Sequence, residues 1–188
     1  MLCRMFLVFV CLSLYSSASS LSCRWVDHKF SHLSRTSMDL LDTLAHNSTN
    51  STEDAENNFP NNLYSQASKA SAEDKLRFSV QILEEMAALF VEDHSNASWD
   101  EQTVDHFLFV VTKQADSLHS CVSRQLHGHK RKNKKLQMYF KRLSHHSIYQ
   151  SVCCIDHSHS AESWELIRKE MKAHLMKTDQ LVLSLLSN

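Results

Sequence analysis

The chain has 188 residues, 20 Lys plus Arg against 21 Asp plus Glu, and a formal net charge of −1, so no general attraction to nucleic acid or to an anionic membrane surface is expected. Glycine and proline occur once each, as Gly128 and Pro60, which suits helices joined by polar loops better than a multi-stranded fold with its turn glycines. The same scarcity excludes a dinucleotide-binding fingerprint, a phosphate-cradling loop and a Gly-x-Ser-x-Gly elbow, each of which needs closely spaced glycines.

Residues 1–22 read as a secretory signal peptide. Arg4 supplies the basic start, MFLVFVCLSLY the apolar stretch, and the residues from Ser16 to Ser22 are small and polar apart from Leu21. The apolar stretch falls short of the roughly 20 residues a spanning helix requires, so no membrane insertion is expected. Cleavage before Cys23 would leave residues 23–188 as one domain with room for a proper core.

Four cysteines then remain: Cys23, Cys121, Cys153 and Cys154. An oxidising compartment favours disulfides, with three formal connectivities. Adjacent cysteines rarely bond each other, so one structural bridge and an open vicinal pair are expected.

Helix A is expected over about residues 24–46, with Val26, Phe30, Leu33, Ser37, Leu40, Leu41 and Leu44 facing inward. Residues 47–70 form a polar connection rich in Asn and Ser. So long a link in a compact domain is expected to cross over a bundle, as in the up-up-down-down topology. Ser71 followed by Asp74 caps helix B, whose face carries Leu76, Val80, Leu83, Ala87 and Phe90. Ile82, Met86 and Leu89 widen that face, predicting the most buried helix. Ser98, three residues before Glu101, has capping-box spacing for helix C. Val104, Phe107, Leu108, Val111, Ala115, Leu118 and Val122 then recur at the helical period. A basic loop, HGHKRKNKK, precedes helix D with Leu136, Tyr139, Phe140 and Leu143. Residues 147–160 read as irregular. Ser160 caps the last helix, marked by Trp164, Ile167, Met171, Leu175, Val182 and Leu185. The fold class is all-α, a bundle with five main helices.

Several of these segments, in order, carry a resemblance. Helix C opens Trp99-Asp100-Glu101 and closes Ser120-Cys121-Val122. Helix A holds Ser34-Arg35-Thr36, the long connection holds Phe59-Pro60, helix B ends Leu89-Phe90, and helix D holds Tyr139-Phe140-Lys141-Arg142. The last helix carries SAESWELIRKE, with a Trp-Glu-x-x-Arg-x-Glu core. Together they resemble type I interferons, the fish-type members in particular, over most of residues 23–188.

The resemblance implies a secreted antiviral cytokine that bridges two class II cytokine receptor chains through separate faces. Catalysis falls to kinases bound inside the cell, so the ligand itself is not an enzyme and needs no cofactor. It also implies the two-cysteine pattern, with Cys23 joined to Cys121. Glu162 stands where many relatives place a cysteine for a second bridge. Acidic Glu53, Asp54 and Glu56 stand where some relatives place basic receptor contacts.

Arg168 and Glu170 match family positions facing the high-affinity receptor chain. Arg168 and Lys172 lie one turn apart on what the periodicity makes an exposed side, and Glu165 with Lys169 forms a second pair nearby. Arg168, Glu170, Lys169, Lys172 and Glu165 are therefore the candidate receptor-binding residues. For Lys169 and Lys172 the competing reading is ordinary solvated charge.

The remaining candidates are weighed singly. Asn47, Asn50 and Asn96 head glycosylation sequons in expected polar loops, with at least one expected to be used. Lys130, Arg131, Lys132, Lys134 and Lys135 could retain the protein on heparan sulfate by charge, against an ordinary solvated loop. His157 and His159 beside Cys153, Cys154 and Asp156 have ligand atoms for zinc but no anchoring element, so no metal is expected. Trp25, Trp99 and Trp164 are expected as core anchors at helix starts. The competing functions are another helical cytokine or growth factor and a helical carrier of an apolar ligand.

Overall fold

The computed structural model describes residues 29–45, 59–91, 94, 97–123, 132–149 and 161–185. Among them run six helices: α1 Ser31–Leu44, α2 Asn61–Ser68, α3 Ala72–Phe90, α4 Glu101–Ser123, α5 Lys134–Tyr149 and α6 Ala161–Leu183. The expected signal peptide, Trp25, the asparagines of all three sequons and Ser160 lie outside the described residues.

Side-chain pairs fix the directions. Ser31 bonds Asp179 while Arg168 bonds the carbonyl of Leu41, so α1 and α6 run antiparallel. Lys75 reaches Ser184 while Phe90 meets Trp164, so α3 is antiparallel to α6 as well. Thus α1 and α3 are parallel. Phe90 also packs on Phe107, and a groove places Leu83 beside His119, so α4 descends against α3. The order for α1, α3, α4 and α6 is up-up-down-down, with α5 packed against α3 and α6. Parallel neighbours need a connection spanning the bundle. Two long links meet that need, one holding α2 and the other α5. The antiparallel α3–α4 pair is joined by a short one.

One interior binds these elements. Leu41, Ile82, Leu83, Met86, Phe107, Val111, Leu118, Leu136, Trp164 and Met171 are essentially fully buried. Burying such a side chain contributes about 1.5–3 kcal/mol each. Helix α3 has apolar groups buried on most of its circumference, Leu76 to Phe90, in keeping with the breadth of its apolar face. At one end of the bundle Phe90 stacks on Trp99 at 5.5 Å, and Trp99 meets Trp164 edge-on at 5.4 Å. This cluster joins the end of α3 to the starts of α4 and α6.

A neutral seam joins α1 to α4. Gln114 donates to the Ser34 hydroxyl at 3.0 Å and accepts from Ser37 at 3.3 Å, all fully buried. The two serines let the helices approach, and the amide leaves no group of the three unsatisfied.

The caps differ in part from expectation. Ser71 caps α3 as its spacing suggests, accepting from the Asp74 amide at 3.2 Å and donating to its carboxylate at 2.9 Å. Helix α4 is capped by Asp100, which accepts from the Thr103 amide and hydroxyl at 2.9 and 2.6 Å. Ser98 instead adopts a positive φ of 54°, outside the capping geometry. Helix α5 starts two residues before Leu136, because the Asn133 side chain accepts from the Lys135 and Leu136 amides. It also continues to Tyr149, into the stretch read as irregular.

The larger departure is α2. Residues 47–70 contain a two-turn helix, held by buried Leu63, Tyr64 and Ala67 after Pro60.

Candidate functional site

The helix α1 ends at Leu44 with no basic residue in its last turn, so its terminal carbonyls lack a local cation. Helix α6 supplies one from a distance. The Arg168 guanidinium donates to the Leu41 carbonyl at 3.0 Å and lies 3.8 Å from the Asp42 carboxylate. Its other nitrogens grip Glu165 in a two-pronged bond, 2.7 and 2.6 Å. Lys172 extends the contact, donating to both oxygens of Asp42 at 2.5 and 2.6 Å.

The expectation of an exposed Arg168 and Glu170 is corrected here. Arg168 is 6% exposed, Glu165 5% and Glu170 6%. The physical reason is packing that the periodicity of α6 alone does not contain: α1 lies across the Arg168 side, and Tyr139 of α5 covers Glu170. A charge buried at that depth is tolerated only when paired and hydrogen-bonded, and Arg168 is paired with Glu165 and bonds through all three of its nitrogens. Lys169 and Lys172 stay at the boundary, each side chain 36% exposed. Met176 continues their stripe one turn on and is 49% exposed.

A second polar cluster lies deeper and links three elements. Tyr64 on α2 donates to His174 Nδ1 at 2.7 Å, and His174 Nε2 stands 3.2 Å from the Tyr139 hydroxyl on α5. Tyr139 in turn donates to the Glu170 carboxylate. The donors balance when His174 carries its proton on Nε2: each member then gives one proton to the next. Phe59 stacks on Tyr64 at 5.5 Å and leans on His174 at 4.6 Å, closing the cluster. Burial lowers the His174 pKa from 6.5 to about 3, which keeps the ring neutral. Burial also raises the Glu170 carboxyl, and the Tyr139 hydrogen bond works against that rise. Both tyrosine hydroxyls are pushed up by burial.

Reading α6 by its large apolar residues missed this cluster. His174 falls three positions after Met171, inside the buried stripe, and that register was the available signal. Asp42 offered no local signal, since its partners lie more than a hundred residues away.

The other candidates scatter. Lys132 is exposed and donates to Glu84 at 2.8 Å, while Lys134 and Lys135 stand exposed in the first turn of α5. Lys130 and Arg131 lie outside the described residues. Cys121 is buried and disulfide-bonded. Cys23, Cys153 and Cys154 lie outside the described residues, as do His157 and His159. Trp164 is the core anchor expected of it, and Trp99 packs half-buried against the core. Among the described residues no helix is long and apolar enough to cross a membrane.

The family model "Interferon alpha/beta domain" matches residues 26–185. Interferon a3 of Oncorhynchus mykiss is 33% identical over 159 residues, covering 85% of this chain and 84% of that protein. The structure of zebrafish interferon 1 superposes with a TM-score of 0.69 at 25% identity, covering 86% of this chain and 98% of that one. The fold is therefore that of a helical cytokine, and the chain belongs to the interferon alpha/beta family as a type I interferon of the fish type.

Proposed function

We propose that the protein is secreted through its leader, residues 1–22, and bridges two class II cytokine receptor chains to induce an antiviral state. One receptor face lies along the α1–α6 seam. Lys169, Lys172 and Met176 form its outer stripe on α6, with Asp42 beside them on α1. Arg168 and Glu165 act from beneath as positioning residues, while Glu170 braces the other side of α6 through Tyr139. The supporting observation is the bond from Arg168 to the Leu41 carbonyl, which locks the end of α1 to α6 and holds the exposed stripe in one geometry. An apolar Met176 ringed by charge suits an interface centre, where a few residues carry most of the binding energy.

The test separates contact from positioning. Lys169→Ala, Lys172→Ala and Met176→Ala, singly and combined, are expected to leave the melting temperature nearly unchanged. The combination should weaken binding to a purified receptor ectodomain by about 1–3 kcal/mol and lower protection of cells against virus. Full potency of the combined variant would remove the face from this seam.

A weaker partner is heparan sulfate, held by the basic run Lys130, Arg131, Lys132, Lys134 and Lys135. Exposed charges of this kind attract polyanions and are screened within about 8 Å at physiological salt.

A further inference from the structure

Helix α5 contains no aspartate or glutamate, although acidic and basic residues balance over the whole chain. Its buried side consists of Leu136 and Phe140, with Tyr139 and Leu143 half-buried next to them. Every cation is on the other side. At 100° per residue, Lys134, Lys135, Lys141 and Arg142 fall within an arc of about 120°, centred on Met138. All four are exposed, and Met138 is 52% exposed. Lys134 and Lys141 form rungs about 10 Å apart along the axis.

None of these four is in an ion pair among the described residues, whereas Lys132 is bound to Glu84. The carboxylates of α3 thus reach the end of the basic run and not the helix face. Two lysines in the first turn also oppose the helix dipole, whose positive end lies there. That placement costs a little stability and adds to the positive potential at this end of the helix dipole. The start of α5 is held firmly in spite of it. Gln81 donates to the Asn133 carbonyl at 3.1 Å and accepts from its amide at 2.7 Å. The cations therefore project from a fixed axis.

We infer that the outer face of α5, built from Lys134, Lys135, Lys141 and Arg142, is the principal docking surface for a linear sulfated polysaccharide. This rests on the proposed heparan sulfate reading of the basic run and moves its centre from the loop onto the helix. The chemistry of the face selects among polyanions. Single-stranded nucleic acid needs aromatic platforms; among the residues whose side chains are described, Phe140 is buried and Tyr139 half-buried against the core. A membrane-surface helix needs a broad apolar side, and among the residues whose side chains are described Met138 is the one apolar residue on this arc. Rows of sulfates need only spaced cations. Arginine adds a planar fork for paired oxygens.

The test uses the secreted full chain on immobilised heparin over a salt series, with circular dichroism to verify each variant's fold. Three pairs are compared: Lys141→Ser with Arg142→Ser, Lys134→Ser with Lys135→Ser, and Lys130→Ser with Arg131→Ser. The first two pairs are each expected to weaken heparin binding by roughly 10-fold and to reduce the slope of log affinity against log salt by roughly 1–2. The third is expected to have a smaller effect. If the Lys141/Arg142 pair elutes as the parent does while the Lys130/Arg131 pair loses retention, the helix assignment is wrong and the loop reading stands. If the parent is not retained at physiological salt, both fall. Tighter binding of a DNA duplex of matched length, or of phosphatidylserine vesicles, than of heparin at equal salt would overturn the polysaccharide assignment.

Discussion

Two polar clusters are buried against α6, barely two turns apart, and they meet the cost of burial in opposite ways. Around Arg168 the solution is pairing of opposite groups: guanidinium to Glu165, to the Leu41 carbonyl and to Asp42. Around His174 the solution is neutrality: the ring has lost its proton and passes hydrogen bonds between two hydroxyls. The first fixes α1, the second fixes α2 and α5. A charged cluster is unforgiving when one partner is removed, because the other charge remains in place without water. A link between neutral groups, such as Tyr64 to His174, loses one hydrogen bond at a time.

The sharpest way to break the comparison is Arg168→Ala. It leaves Glu165 buried without its main partner and should destabilise the fold by about 3–5 kcal/mol, seen as a large fall in melting temperature. Arg168→Lys should recover only part, since an ammonium cannot span Glu165 and the Leu41 carbonyl together. A melting temperature unchanged by Arg168→Ala would mean that α1 does not rest on this residue. Tyr64→Phe removes a single donor from His174 Nδ1 and should cost about 1–3 kcal/mol by urea unfolding. The loss should be specific to α2, so proteolysis between α1 and α3 should accelerate before global unfolding.

The titration behaviour gives a third test. The folded pKa of His174 lies below its unfolded value of 6.5, at about 3. The unfolded chain then binds more protons between those values, so stability is full above pH 6.5 and is lost as pH falls through the window. Glu170 has the opposite sign. Its folded pKa is raised, so its burden eases as pH falls through that raised value towards 4.5. His174→Gln should flatten the fall in stability between pH 6.5 and 3 in chemical denaturation. An unchanged slope would assign that fall to other groups. The smallest expected effect is Ser71→Ala, about 1 kcal/mol through loss of the α3 cap, measured the same way.

What the sequence disclosed follows the range of each interaction. Local signals gave α3 and its cap, because Ser71 and Asp74 are neighbours and the periodicity of α3 is its own. At α4 the capping-box spacing pointed to Ser98, but backbone geometry gives the cap to Asp100. Helix α2 was hidden because three buried residues in a polar octet give no period long enough to read. Arg168 was misjudged for a related reason. On α6 alone, Glu165 and Arg168 look like a solvated pair, and only the arrival of Leu41, 127 positions earlier, makes them interior. Residue identity was informative about α6 and silent about what covers it.

The distance along the chain between Leu41 and Arg168 has a consequence for biosynthesis. The end of α1 leaves the ribosome long before the residue that caps it exists, and Ser31 waits longer still for Asp179, 148 positions on. Pairings of such separation are slow to form and leave apolar faces uncovered meanwhile. The α1–α6 seam therefore closes among the last steps of maturation. A nascent chain released before α6 would carry α1, α3 and α4 but no assembled seam, and chaperones would meet it as an open bundle.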